Sequence, residues 1–283
     1  MSNPNQNSTL FIQSLSTGLD VLLSFDSEHP TMNLPEIAEA AGISKSAAQR
    51  FAYTLEALRF LRKDPVTRRY SLAPKALDIA YRFQLANPLI ERANPYLLEL
   101  NRRCDETVNL SEPDGLDMVF IARFPSSTHS VVHMPVGRRL PMFCTAAGRA
   151  YLSMLDEGEA RAVLEASDRV KFTPSTQTDI AKLMALLDEA RENGFAYAYE
   201  EFYRTDLNLG VPLLNASGRP VAAVNVSVSS TRWTPARLRK ELAPLMIETA
   251  RMISTTPAAP TALEPFRRGY GVGENVRERT KKG

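Results

Sequence analysis

Small polar and basic side chains cluster at residues 44–50, which read Ser-Lys-Ser-Ala-Ala-Gln-Arg. Ser44 is a favoured N-cap, and Ala48, Phe51 and Leu55 recur behind it at helical spacing, so a helix is predicted to begin there. A helix start can hold a phosphate, glutamine can pair with adenine, and arginine can pair with guanine. This pattern predicts a helix that reads the major groove of DNA. Its predicted contacts are Ser44, Lys45, Ser46, Ala47, Gln49, Arg50 and Tyr53.

The elements around this helix favour a winged helix-turn-helix. The apolar spacing of residues 34–41 predicts a short helix that ends at Gly42, where a positive φ suits a sharp corner. Residues 60–63 and 68–72 flank a proline-containing turn and predict a hairpin. Two helices joined by a tight turn and followed by a hairpin are typical of this motif. The hairpin adds two predicted backbone or minor-groove contacts, Arg68 and Arg69.

Composition gives DNA binding little support. The 283 residues carry a net charge of only +2, and acidic residues offset most basic ones in the N-terminal region. A three-helix unit that binds protein therefore stays an open alternative. The polar N-terminus lacks the features of a signal peptide, and no run of eighteen apolar residues occurs, so we predict a cytoplasmic protein without membrane contact.

Motifs for cofactor, metal or catalytic chemistry are not found. Cys104 and Cys144 lack CxxC spacing, and His29, His129 and His133 are not clustered with them, so neither a disulfide nor a metal site is expected. The sequence contains no G-x-S-x-G elbow, P-loop or H-E-x-x-H motif, so we predict no enzyme and no cofactor. A catalytic second domain assembled from distant residues remains an alternative.

Beyond residue 90 the periodicity mixes helices with extended segments, which predicts a second domain of α+β class. Predicted strands lie at 107–111, 118–124, 130–136, 211–214 and 221–228. Predicted helices lie at 146–155, 157–166 and 180–193, and one long helix runs from Pro235 to about Ile253. The predicted organisation is a flexible N-terminus (1–10), a winged helix-turn-helix domain (11–73), a linker helix (74–89), the second domain (90–256) and a disordered tail (257–283).

Several separated blocks, in the same order, resemble IclR-type bacterial transcription regulators over roughly residues 11–255. They are residues 14–22, 34–38, 42–46, 55–58, 136–141, 145–150, 200–201, 210–212 and 224–227. Phe11–Leu15 is most similar to the members that control aromatic-acid catabolism. The resemblance implies a GAF-like α/β domain that binds a small organic-acid effector, and operator DNA as the macromolecular partner. It also implies a regulator of catabolic genes that works as a homodimer or tetramer, with RNA polymerase as a further partner.

The residues give the implied effector site a physical basis. Thr145–Gly148 are small and would open a helix, whose N–H groups favour an anion; a tightly packed helix start without a ligand is the alternative. Strand 221–229 alternates, so Asn225 and Ser227 share a polar face that needs partners or a ligand if it is buried. The predicted effector-site residues are Met142, Cys144, Thr145, Ala146, Ala147, Glu201, Asn208, Asn225 and Ser227. For Cys144, a small buried residue is favoured over a reactive thiol.

The chain departs from the family pattern after its acidic pair at 200–201. Thr205 occupies the position of a glycine, and Asn208 stands where a small residue or cysteine lines the pocket. Arg204 and Asn208 are predicted as additional polar groups near the ligand, and they therefore predict a more polar or a larger acid.

Overall fold

The computed structural model describes residues 8–128 and 134–255. The chain divides into two units, residues 1–86 and 87–283, which are considered separately. The division falls inside the stretch 74–89 that the sequence assigns to a linker helix. That stretch contains a 3-10 turn, one complete helix and the start of the next.

The first unit is a three-helix bundle with a hairpin and a further helix. Its elements are α1 (Gln13–Leu23), α2 (Leu34–Ala40), α3 (Lys45–Ala57), β1 (Leu61–Lys63), β2 (Tyr70–Leu72), a 3-10 turn at Pro74–Ala76, and α4 (Leu77–Ala86). β1 and β2 pair antiparallel. Val21, Ile37, Ala48 and Leu61 are buried in one core, so all three helices and the hairpin pack together. The predicted winged helix-turn-helix is confirmed.

Local chemistry fixes the corner between α2 and α3. Asn33 and Glu36 form a capping box at the start of α2, where each side chain accepts a hydrogen bond from the other residue's backbone N–H. Gly42 has φ 63°, a left-handed conformation that glycine adopts without steric cost. The turn therefore ends α2 and starts α3 within four residues.

The second unit is a six-stranded antiparallel sheet with helices on both faces. Its elements are α5 (Pro88–Cys104), β3 (Thr107–Asp114), β4 (Asp117–Phe124), β5 (Arg139–Pro141), a 3-10 turn at Met142–Cys144, α6 (Ala146–Leu152), α7 (Glu157–Ala166), α8 (Ile180–Asn193), β6 (Ala196–Tyr199), β7 (Asp206–Leu214), β8 (Pro220–Ser229), α9 (Pro235–Glu241) and α10 (Ala243–Thr255). The strand order is β5-β4-β3-β8-β7-β6.

The two faces of the sheet differ in polarity. Val224, Val226 and Val228 of β8 are fully buried in one core with residues of α5 and α10. Because side chains alternate along a strand, Asn225 and Ser227 point to the opposite face, on which α6 packs. The predicted alternation is confirmed, and its polar side is buried, Asn225 being only 4% exposed.

Three predicted elements differ from the structure, and two observed strands were not predicted. The long C-terminal helix is two helices, because Pro244 has no N–H and its ring opposes the carbonyl of Lys240, so α9 ends at Glu241. α6 ends at Leu152 instead of residue 155. The edge strands β5 and β6 were not predicted, since three or four residues are too few to show a period. Of the predicted strand 130–136, residues 134–136 are not in a strand and 130–133 lie outside the described residues.

Some predictions fall outside the description altogether. His129 and His133 lie there, as do the tail 257–283 and most of the predicted N-terminal segment. Among residues 8–128 and 134–255, no group of three or more His, Cys, Asp or Glu could hold a metal ion. Within the same residues, none of the helices combines the length and apolarity needed to cross a membrane.

Candidate functional site

One side of α3 carries the exposed side chains that the sequence predicts to contact DNA. Ser46, Gln49, Arg50 and Tyr53 follow the i, i+3, i+4, i+7 spacing that places residues on one helix face. All four are exposed, while the buried residues of α3 lie on the opposite side. The helix therefore presents hydroxyl, amide, guanidinium and phenol groups together without a neighbour covering them in this unit.

The first turn of α3 has the polarity that an anion requires. The Ser44 hydroxyl accepts a hydrogen bond from the Ala47 N–H at 3.2 Å, so Ser44 is the predicted N-cap. Lys45 is exposed beside it. No acidic residue lies in this turn, so the positive end of the helix dipole is not neutralised by the helix itself.

The hairpin turn holds Arg68 outward. The Asp64 carboxylate accepts from the N–H groups of Val66 and Thr67 at 2.9 and 2.7 Å, and these bonds lower the pKa of Asp64. The turn is therefore internally braced. Arg68 follows it with φ 59° and an exposed side chain, which suits a contact with a DNA backbone.

Arg69 has partners within the protein. Its Nη2 lies 2.6 Å from Glu36 Oε2, and its Nε donates to Thr31 Oγ1 at 2.9 Å. These bonds tie the hairpin to the start of α2. Arg69 is therefore not part of the proposed DNA surface, although the sequence predicts it as a DNA contact.

The second unit encloses a cavity of about 30 Å³ between the polar sheet face and α6. All predicted effector-site residues except Met142 line it, namely Cys144, Thr145, Ala146, Ala147, Glu201, Asn208, Asn225 and Ser227. A space of this size holds one or two waters, so an organic acid fits only after lining side chains move. Met142 instead packs under α6, where a Cβ on Gly148 would lie 2.3 Å from the Met142 Cα.

The sequence missed several residues of the cavity wall. They are Met118, Phe120, Met134, Leu140, Ala198, Phe202 and Asp206. Met118 and Phe120 alternate on a predicted strand, so period-two reasoning would have found them. Phe202 and Asp206 flank residues already assigned to the site. Most of the missed residues are apolar. Met118, Phe120, Leu140 and Ala198 lie on strands of the same sheet as the polar residues, so the cavity lining mixes apolar and polar side chains.

Glu201 is held by a buried ion pair. Arg149 Nη1 and Nη2 donate to Glu201 Oε1 and Oε2 at 2.5 and 2.6 Å, and the two side chains are 2% and 9% exposed. Arg149 Nε also donates to the Phe143 carbonyl, and the Gln177 N–H donates to Glu201 Oε2. The carboxylate therefore links α6 to the loop before α8, and Glu201 borders the cavity as a fixed wall.

Comparison with known proteins assigns the chain to a family. Residues 14–65 match the IclR helix-turn-helix domain, and residues 85–255 match the C-terminal domain of bacterial transcriptional regulators of the IclR type. The Pca regulon regulatory protein of Pseudomonas putida is 30% identical over 242 residues, which cover 85% of this chain and 82% of that protein. The chain belongs to the IclR family. It is therefore a DNA-binding transcriptional regulator with an effector-binding domain, as the sequence resemblance predicts.

Other IclR proteins agree in extent and fold. The p-hydroxybenzoate hydroxylase transcriptional activator of Acinetobacter baylyi is 29% identical over 245 residues, or 85% of this chain and 90% of that protein. An IclR regulator structure from Alicyclobacillus acidocaldarius has a TM-score of 0.77 at 25% identity, covering 86% of this chain and 98% of that one. An IclR homologue from Microbacterium hydrocarbonoxydans, complexed with 4-hydroxybenzoate, has a TM-score of 0.71 at 20% identity and covers 86% of this chain and 98% of that one. At this identity the likeness supports only a shared fold.

The departures from the IclR pattern have structural consequences. Thr205 has φ 62°, so it occupies a left-handed conformation that explains the glycine expected there. Asn208 lines the cavity and donates to Asp206 Oδ2 at 2.6 Å. Arg204 is exposed and does not line the cavity, so the expectation of an arginine near the ligand is wrong.

Asp206 is a cavity residue with a raised pKa. It is 6% exposed, and burial raises its pKa from 3.8 to about 6, an effect that the Asn208 hydrogen bond and the Arg123 charge reduce. The folded protein therefore binds a proton at Asp206 more readily than the unfolded chain does. Stability that depends on this group is lost as the pH rises from about 4 to above 6.

Asp206→Asn is therefore expected to stabilise the protein at pH 8 by up to about 3 kcal/mol, two pKa units being worth ~2.7 kcal/mol. The gain should shrink as the pH falls towards 4.5, where the wild-type carboxyl is largely protonated. Urea unfolding at both pH values measures the difference. Asp168→Asn, at an exposed residue of the same unit, is the control and should show no such pH dependence. An equal gain at both pH values would contradict the assignment.

Proposed function

We propose that this regulator controls catabolic genes in response to a small organic acid, of aromatic type, that binds in the cavity of the second unit. The observation that carries the proposal is the cavity itself, whose lining combines polar residues of the sheet face with the apolar side chains of Phe120, Phe202 and Met134. A pocket with apolar walls and a few convergent polar groups is the usual form of a small-molecule site.

The aromatic preference rests on the walls and on relatives. Phe202 packs against Phe172 at 4.6 Å and against Tyr203 at 4.7 Å between ring centroids, so an aromatic surface borders the cavity. The relatives named for the Pca regulon and for p-hydroxybenzoate hydroxylase support an aromatic acid. Met134 and Phe202 are the side chains that we expect to move, since methionine adapts readily to a ligand.

Titration of the full-length protein with benzoate and 4-hydroxybenzoate tests the effector. A bound acid at 100 times its Kd should raise the free energy of unfolding by about 2.7 kcal/mol. It should also change the affinity for DNA from upstream of the regulator's own gene, because an effector must prefer one of two states. No product should form during the incubation. Turnover of the acid would favour the alternative of a catalytic domain, and absence of binding to any acid would overturn the proposal.

The proposed DNA surface consists of the exposed groups of α3 and the hairpin. Its residues are Ser44, Lys45, Ser46, Ala47, Gln49, Arg50, Tyr53 and Arg68. One helix-turn-helix contacts one half-site, so operator recognition requires two copies of the chain.

Helix α4 supports a homodimer. None of its ten residues is buried, yet it exposes Leu77, Ile79, Tyr81, Phe83 and Leu85, each between 45% and 68%. A ten-residue helix is marginal without packing. Leu77, Tyr81 and Leu85 share one side of α4 at i, i+4, i+8 spacing, and exposed apolar surface of this kind marks an interaction site. We propose that a second copy covers this helix in the homodimer, or in one interface of a tetramer.

Tyr81→Glu is expected to weaken that interface, because it places a charge among apolar contacts. Light scattering after gel filtration should then show a smaller mass than the wild type at the same concentration. Val170→Glu, at an exposed valine of the second unit, is the matched control and should leave the mass unchanged. A wild-type protein that is monomeric at all concentrations would exclude the dimer.

A further inference from the structure

A row of polar side chains crosses the sheet face, and its members Asn225, Asn208 and Asp206 line the cavity. The row continues beyond the cavity lining to Asn109 and Arg123. Asn109 of β3 lies opposite Arg123 of β4 and opposite Asn225 of β8. Asn208 and Asp206 follow on β7. Asn109 is 0% exposed and Asn225 4% exposed, so each polar atom in the centre of this row must find its partner without bulk water.

Charged groups orient the two central amides from outside. Arg123 Nη1 donates to Asn109 Oδ1 at 2.9 Å, which turns Asn109 Nδ2 away from the arginine. At the other end, Asn208 Nδ2 donates to Asp206 Oδ2 at 2.6 Å, so Asn208 Oδ1 is the acceptor that faces Asn225 and Ser227. Asn208 Oδ1 accepts from Ser227 Oγ at 2.5 Å and from Asn225 Nδ2 at 3.4 Å, and Asn225 Nδ2 also donates to Ser227 Oγ at 3.3 Å. Asn225 Oδ1 is thereby turned towards the middle of the row.

This orientation leaves one donor and one acceptor in the middle. Within residues 8–128 and 134–255, neither Asn109 Nδ2 nor Asn225 Oδ1 has a hydrogen-bond partner. Asn109 and Asn225 lie directly opposite each other on adjacent strands. The Cβ atoms of such a pair are about 4.5–5.5 Å apart. A buried donor and a buried acceptor are costly to leave unpaired, so the site favours a guest that satisfies both.

We propose that this pair recognises a hydroxyl group on the effector, so that the regulator responds to a hydroxy acid. A hydroxyl accepts from Asn109 Nδ2 and donates to Asn225 Oδ1 at once. Every hydrogen bond then points the same way, from the guanidinium of Arg123 through Asn208 to the carboxylate of Asp206. A carboxylate could not donate to Asn225, and an ammonium could not accept from Asn109.

The inference rests on the proposed effector function, and matched acids separate the two. Calorimetry of the full-length protein compares benzoate with its 3- and 4-hydroxy derivatives, and propionate with lactate. At least one hydroxy acid should bind about tenfold or more tightly than its parent acid, because the parent leaves the amide pair unsatisfied. If each hydroxy acid and its parent acid bind equally tightly, a water molecule completes the row. That result would overturn the proposed recognition of a hydroxyl group, but it would leave the proposal of an acid effector unchanged. Binding of no acid would overturn both.

Two variants locate the preference. Asn225→Val removes the acceptor and should reduce the ratio of hydroxy-acid affinity to parent-acid affinity to about twofold or less, whatever the affinity of the parent acid itself. Ser111→Ala is the control. Ser111 is a buried residue of β3, the strand that carries Asn109, but it does not belong to the polar row. Among the described residues, its hydroxyl donates only to the Ala223 carbonyl. Loss of the preference in Ser111→Ala, or its survival in Asn225→Val, would contradict the assignment to Asn225.

Discussion

Arg149→Met is expected to reduce the free energy of unfolding of the second unit by about 3–5 kcal/mol. The substitution keeps the apolar volume but leaves the Glu201 carboxylate, 9% exposed, without its guanidinium. An ionised group costs several kcal/mol to bury alone, whereas the pair compensates its own desolvation. The loss is large because Arg149 also supplies the hydrogen bond to the Phe143 carbonyl.

A double variant distinguishes a buried ion pair from simple packing. Arg149→Met combined with Glu201→Leu removes both charges, so it should be more stable than Arg149→Met alone, although Gln177 loses its acceptor. Urea unfolding at pH 7 measures four proteins: the wild type, Arg149→Met, Glu201→Leu and the double variant. Additive losses would mean that the two side chains are not energetically coupled.

Arg219→Met provides the matched control. Arg219 pairs with Glu159 at 2.9 Å, but the two side chains are 57% and 46% exposed. Exposed pairs are worth about 0–1 kcal/mol because water already solvates both charges. A loss in Arg149→Met no larger than that in Arg219→Met would contradict the buried role of Arg149.

The sequence predicts best what local chemistry determines. Ser44 caps α3 and Gly42 turns the chain before it, because cap and turn preferences act within a few residues. The alternation of strand β8 correctly separates Asn225 from the buried valines. Pro244 indicates a helix end near Glu241, but the apolar periodicity continues on both sides of it and predicts a single helix.

Tertiary pairing accounts for what the sequence could not provide. Arg149 and Glu201 are separated by 51 intervening residues, and nothing local marks either as the partner of the other. Asp206 looks like an ordinary loop acid until the sheet buries it at the cavity and raises its pKa to about 6. Arg69 has the residue type of a DNA contact, and only the fold brings Glu36 to it.

The recognition helix can be tested through its two exposed basic residues, Lys45 and Arg50. The double variant Lys45→Ala, Arg50→Ala is expected to lower the affinity for upstream DNA by about 10- to 100-fold. A side-chain contact with a base is worth about 1–3 kcal/mol, and a contact with a phosphate is worth less. The slope of log K against log salt should become less steep by up to about 2 per half-site, since two phosphate neutralisations are lost.

The control must carry the same change in net charge elsewhere. Arg161→Ala with Lys182→Ala removes two positive charges from the second unit, on α7 and α8. The net charge falls by two in both proteins, so a difference between them reports the position of the charges on α3 and not the net charge alone. Fluorescence anisotropy at several salt concentrations measures affinity and slope together. Equal affinities and equal slopes in the two variants would show that α3 does not enter the groove, and the first unit would then have to engage its partner through another face.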